Sequence, residues 1–175
     1  MKKLVLIGYM GAGKSTVGQA LSEQMQVSFR DTDCWIEEKQ GRCISDIFAE
    51  DGEDYFRKLE TDCLKEFLEQ KENGVISAGG GLPLREENRE LLRKMAYTVY
   101  LQVSKETVLE RLKGDSSRPL LQVADRETRI AEMIQVRHPI YLEAADTAVE
   151  VDGREVEEIV KEILDLFLNG GFGKK

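Results

Sequence analysis

At 175 residues the chain has room for one domain, with a core that needs neither disulfides nor a structural metal. A formal net charge of −8 excludes the broad basic face that general nucleic-acid binding requires. Cys34, Cys43 and Cys63 are scattered and form no CxxC pair, which predicts reduced thiols in a cytoplasmic protein.

The chain opens Met1-Lys2-Lys3 and continues into the apolar run Leu4–Ile7, which stops at Gly8. That run is too short for a secretory signal and predicts a strand; no other run approaches the roughly 18 apolar residues of a membrane span. Gly8-Tyr9-Met10-Gly11-Ala12-Gly13-Lys14-Ser15 then matches GxxxxGK[ST] in full, between a predicted strand and a predicted helix. Backbone N–H groups of Gly11, Ala12 and Gly13, with Ser15 and Thr16 at the helix start, suit the phosphates of ATP. Lys14 is expected to reach the β- and γ-phosphates and the Ser15 hydroxyl to ligate Mg²⁺. The Asn-Lys-x-Asp tetrad usual in a GTPase does not occur, and motor and helicase domains are usually larger, so a small-metabolite kinase is the better fit.

A second strand, Ser28–Asp31, runs into Asp31-Thr32-Asp33. Two carboxylates spaced by one residue at a strand end can divide labour, Asp31 holding hydrated Mg²⁺ while Asp33 faces an acceptor hydroxyl. Phe56, Leu59, Cys63, Leu64, Phe67 and Leu68 repeat at three-and-four spacing and predict a helix, with Asp51 as N-cap. Strands follow at Val75–Ser77, Thr98–Leu101 and Thr147–Val151. Between the last two, the turn-rich stretch from Lys113 to Pro119 reads as a lid-like loop, about 113–125. Asp152 is a second candidate for the metal aspartate, but with Glu155 it is better explained as the cap of the last helix. The tail 169–175 is expected to fray. Strand and helix in alternation predict a parallel sheet covered on both faces.

Taken together, these blocks resemble the shikimate kinase family over nearly the whole chain. The P-loop through Thr16, the Asp31-x-Asp33 pair, and Gly52-Glu53-Asp54-Tyr55-Phe56-Arg57-Lys58-Leu59-Glu60 are similar to family motifs. So are Gly79-Gly80-Gly81, Arg118-Pro119-Leu120-Leu121 and Arg137-His138-Pro139-Ile140-Tyr141. Ala78 departs from the family threonine that usually precedes the glycines. The resemblance implies a P-loop NTPase-type three-layer α/β sandwich, a five-stranded parallel sheet with helices on both faces. It implies that Asp33, Arg57, Gly79, Gly80, Gly81 and Arg137 surround shikimate, that Arg118 closes over the phosphates, and that Arg111 lies against adenine.

Residue chemistry agrees with those roles. Arg57 and Arg137 can fix a ring acid's carboxylate by charge-assisted, bidentate hydrogen bonds. Glu60, three residues after Arg57, can orient that guanidinium or receive a ring hydroxyl. Glycines at 79–81 admit close approach of the backbone. Asp33 is the expected proton acceptor, and Arg118 can stabilise charge on the migrating phosphoryl group. A hydroxyl at Ser77 is expected to point away from the metal side of its strand. His138, the only histidine, leaves no His-based catalysis or His cluster. Two other readings stay open: a gluconate or nucleoside monophosphate kinase on the same scaffold, and a nucleotide-binding regulator without catalysis. A monomer is the default expectation.

Overall fold

A computed structural model describes residues 3–113 and 125–170. Arg118 and most of the lid-like loop lie outside the described residues, as does the tail from Gly171. Five strands are described: β1 (Lys3–Ile7), β2 (Ser28–Asp31), β3 (Gly74–Ser77), β4 (Ala96–Gln102) and β5 (Thr147–Glu150). They form one parallel sheet in the order β2-β3-β1-β4-β5. Each falls within two residues of its predicted span.

Burial explains the order. Leu4, Val5, Leu6 and Ile7 are consecutive and all essentially inaccessible, so β1 is covered on both faces and belongs at the centre. At the edges, Ser28 of β2 and Ala148 and Glu150 of β5 are exposed. The covering helices are α1 (Lys14–Met25), α2 (Thr32–Gln40), α3 (Ile44–Glu69), α4 (Glu86–Met95), α5 (Lys105–Arg111), α6 (Arg126–Ala144) and α7 (Val156–Gly170). A 3₁₀ turn over Leu82–Leu84 precedes α4.

Two predicted caps are corrected. The helix expected to begin after Asp51 is the second of two helices within α3, joined to the one starting at Ile44 across a kink at Gly52, whose φ of 82° and ψ of 174° are not helical. Asp51 does not open it; its carboxylate pairs with Arg42, beside Glu50. Asp152 likewise does not cap the final helix, which begins at Val156 after a turn through Gly153. Its carboxylate accepts the Ser104 backbone N–H at 3.0 and 3.2 Å, tying the end of β5 to the start of α5.

Because the strands are parallel, their carboxyl ends share one rim. The neighbouring β1 and β3, and β3 and β2, bring the chain segments after Ile7, Ser77 and Asp31 together there. Open α/β sheets bind ligands on that rim.

Candidate active site

The loop after β1 carries Lys14 at the start of α1. Its ammonium donates to the carbonyls of Gly8 at 2.9 Å and Tyr9 at 3.0 Å, so the charge lies across the mouth of the loop. Arg111, at the end of α5, donates to the Gly11 carbonyl at 2.8 Å and so braces the same loop from outside.

Asp31 ends β2 and does two jobs. One carboxylate oxygen caps α2 by accepting the backbone N–H groups of Asp33 and Cys34, at 3.0 and 3.3 Å. The other accepts the Ser15 hydroxyl at 2.9 Å. Ser77 stands opposite Asp31 in the strand register, and its hydroxyl lies 3.5 Å from that of Ser15. This corrects the expectation that Ser77 points away. The strand ends at Ser77, so alternation past it says nothing about which hydroxyl meets the cleft. The Ser15 and Ser77 hydroxyls and the Asp31 carboxylate face a cleft shared with Gly13, Lys14 and Asp33. Among the described residues no group of three His, Cys, Asp or Glu side chains could hold a metal by itself. A hard cation that keeps waters and takes further oxygens from phosphates fits such a sparse oxygen set.

Thr32, between the two aspartates, is fully buried, and its hydroxyl oxygen accepts the Gly79 N–H at 2.8 Å. The middle residue of Asp31-Thr32-Asp33 therefore pins the glycine loop. Periodicity does not mark Thr32 in the sequence; its place between two candidate site carboxylates is the available signal.

Beyond the glycines lies a second pocket, whose walls include Ile44, Phe48 and Phe56 together with Arg57, Glu60 and Arg137. Both arginines are 7% exposed, which is uncommon for the residue type without a task. Arg57 is gripped by two carboxylates of its own helix: it donates to Glu60 at 2.7 Å and to Glu53 at 2.8 Å. Burial pushes the Glu60 carboxyl up to about 7, against the pull of the Arg57 cation. The absent side chains at Gly79 and Gly81 make room for this cluster. A methyl at Gly81 would collide with the Arg57 guanidinium, and one at Gly79 would fall 2.5 Å from Asp33 and 2.9 Å from Glu60. Gly80 instead faces the P-loop and accepts a hydrogen bond from the Tyr141 hydroxyl at 2.6 Å.

Asp33, Met10 and Gly80 line both the phosphate cleft and the arginine pocket. The structure thus brings together Gly11, Gly13, Lys14, Ser15, Thr16, Asp31 and Asp33 on one side, and Arg57, Glu60, Gly80, Gly81 and Arg137 on the other. Ala12 is buried beneath the loop. Ala78 is buried in the wall of the phosphate cleft and offers no hydroxyl there. His138 contacts the Tyr100 hydroxyl at 3.1 Å and lines neither pocket.

A phosphate loop opening directly onto an arginine-lined pocket is the arrangement of a P-loop small-molecule kinase. Comparison with known proteins narrows the class: a family model described as shikimate kinase matches residues 10–167, and the chain belongs to the shikimate kinase family. The shikimate kinase of Francisella philomiragia is 42% identical over 162 residues, covering 93% of this chain and 92% of that protein. Among solved structures, a shikimate kinase from Acinetobacter baumannii in complex with shikimate superposes with a TM-score of 0.93 at 36% identity, covering 99% of this chain and 96% of that one. The shikimate kinase of Aquifex aeolicus gives 0.84 at 38% identity, with 98% and 99% covered. A gluconokinase from Sinorhizobium meliloti, at 20% identity and a TM-score of 0.58, shares the fold alone.

Proposed function

We propose that the chain transfers the γ-phosphoryl group of ATP to a hydroxyl of shikimate, giving shikimate 3-phosphate and ADP on the route to chorismate and the aromatic amino acids. The observation that carries this reading is the position of Asp33, which borders the phosphate cleft and the arginine pocket at once.

On this reading the carboxylate of shikimate is held by Arg57 and Arg137, and the apolar wall of Ile44, Phe48 and Phe56 takes a face of the ring. That anchor leaves the hydroxylated edge toward Asp33 and the P-loop. Asp33 orients the attacking hydroxyl and accepts its proton as the new P–O bond forms. Transfer through a loose transition state depends mostly on alignment and charge stabilisation, so the fixed carboxylate matters as an aligner more than as a strong base. Lys14 leaves the Gly8 and Tyr9 carbonyls for the phosphates, and Arg111 stays at the nucleotide side. Arg118 completes the charge set over the phosphates on sequence grounds.

Ser15 and Asp31 are the residues that would hold Mg²⁺, with Ser77 beside them. When bound, that ion neutralises phosphate charge and fixes its orientation. The reading extends to one kinase domain over 1–175, acting as a monomer in the cytoplasm. Among the described residues no helix is long and apolar enough to cross a membrane.

The test is ADP release from Mg-ATP with shikimate, and with gluconate and AMP as controls. Release that depends on shikimate alone is the expected result. Turnover with a control acceptor instead would reassign the arginine pocket.

A further inference from the structure

The two acceptor-site arginines are held in different ways. Arg57 is fixed by Glu53 and Glu60, which occupy N–H groups on both arms of its guanidinium. Arg137 forms no ion pair with a carboxylate among the described residues. It shares a side-chain hydrogen bond with Tyr141, and its guanidinium carbon sits 5.8 Å from the centroid of the Tyr9 ring. That distance is within the range at which a ring face attracts a cation.

Tyr9 is a P-loop residue at a position where the motif accepts any side chain. It is 1% exposed, an unusual depth for a tyrosine on a phosphate loop. Its main-chain carbonyl accepts from Lys14, so its backbone belongs to the phosphate site. Its side chain reaches the other way, onto α6. There the hydroxyl donates to Met133 Sδ at 3.6 Å, while the ring meets Arg137, one helical turn further on. One residue therefore has its backbone in one site and its ring against the cation of the other.

We propose that Tyr9 is a positioning residue for the acceptor: its ring face holds the Arg137 guanidinium in place without using any of its N–H donors. A carboxylate in the same place would fix the arginine equally well but would compete with the incoming acid for those donors. The ring takes none of them; beside it, the Tyr141 side chain engages the guanidinium by a hydrogen bond, and the remaining donors stay available to the ligand. Its buried setting also strengthens the attraction, because little water competes for the cation. The inference rests on the reading of Arg137 as a ligand for the shikimate carboxylate.

The experiment substitutes Tyr9→Phe and, separately, places a trifluorinated phenylalanine at position 9. Phenylalanine removes only the hydroxyl and its contact to Met133. Fluorination keeps the ring nearly the same size while withdrawing charge from its face. Phenylalanine is expected to leave the shikimate KM within about twofold of wild type. The fluorinated ring is expected to raise it roughly three- to tenfold, with ATP KM and melting temperature unchanged. In an Arg137→Ala background the fluorinated ring should add nothing. Equal shikimate KM for the plain and fluorinated rings overturns the inference, as does an undiminished fluorine effect in the Arg137→Ala background. A wild-type shikimate KM for Arg137→Ala alone overturns the underlying reading instead, so the two failures are told apart.

Discussion

Arg57 and Glu60 form a buried ion pair on α3, with Nη1 donating to Oε2 at 2.7 Å and side chains 9% and 1% exposed. Removing Glu60 leaves the buried Arg57 charge with the more exposed Glu53 as its one carboxylate partner among the described residues. Glu60→Ala is expected to cost roughly 3–5 kcal/mol of stability, and Glu60→Gln less, because the amide oxygen still accepts from Arg57. Urea unfolding of the two variants gives the comparison. A loss below about 1 kcal/mol for the alanine would mean that water or Glu53 takes over the pairing.

The same carboxyl makes stability depend on pH. Its value in the folded chain is raised from 4.5 to about 7, chiefly by burial. A carboxyl raised on folding contributes stability that is fully present below its unfolded value and lost as pH rises through the folded one. Wild type should therefore lose stability relative to Glu60→Gln between about pH 4.5 and 7. The shift sets an order of magnitude of 3 kcal/mol. Parallel stability curves for the two proteins over that window would show that Glu60 is ionised throughout.

Asp33 sits where the two pockets meet. Asp33→Asn keeps the size of the side chain but withdraws the charge and one carboxylate oxygen. Turnover is expected to fall by about 10² to 10⁴ while ATP KM stays within about twofold. Steady-state kinetics with both substrates varied reads the two effects separately. Turnover like that of wild type removes Asp33 from the transfer step.

Ser77 bears on the metal. Its hydroxyl faces that of Ser15 across the end of β3, so Ser77→Ala takes away one of two hydroxyls near the Asp31 carboxylate. Half-maximal activity is expected to need roughly tenfold more Mg²⁺, with shikimate KM unchanged. A Mg²⁺ titration of both proteins decides it, and an unchanged requirement would make Ser77 a strand-end residue and no more.

Much of this was legible in the chain because its signals are local. Four of the five strands are short apolar or β-branched runs, β2 with its single Phe29 being the exception, and the P-loop announces itself by spacing. The pairing of Arg57 with Glu60 follows from helical periodicity alone. What escaped depends on where an element stops or on contacts distant in sequence. Asp51 and Asp152 look like caps because each precedes a helical stretch, yet Arg42 and the Ser104 N–H claim them. Ser77 was misplaced because strand alternation does not say which hydroxyl a neighbouring strand end will meet. Thr32 and Tyr9 stand at positions their motifs leave unspecified, so only their partners, Gly79 and Arg137, reveal them.

Gly52 divides α3 into two arms with separate duties. The arm before it brings Ile44 and Phe48 to the arginine pocket, and the arm after it carries Phe56 along with Glu53, Arg57 and Glu60. Two of the three apolar wall residues thus come from one arm and α3's share of the pocket charge from the other, joined at a kink whose residue has no side chain to satisfy. Such a joint would let Ile44 and Phe48 be re-cut by substitution for a differently shaped ring acid, while Arg57, the proposed carboxylate ligand, stays in register with the phosphate loop.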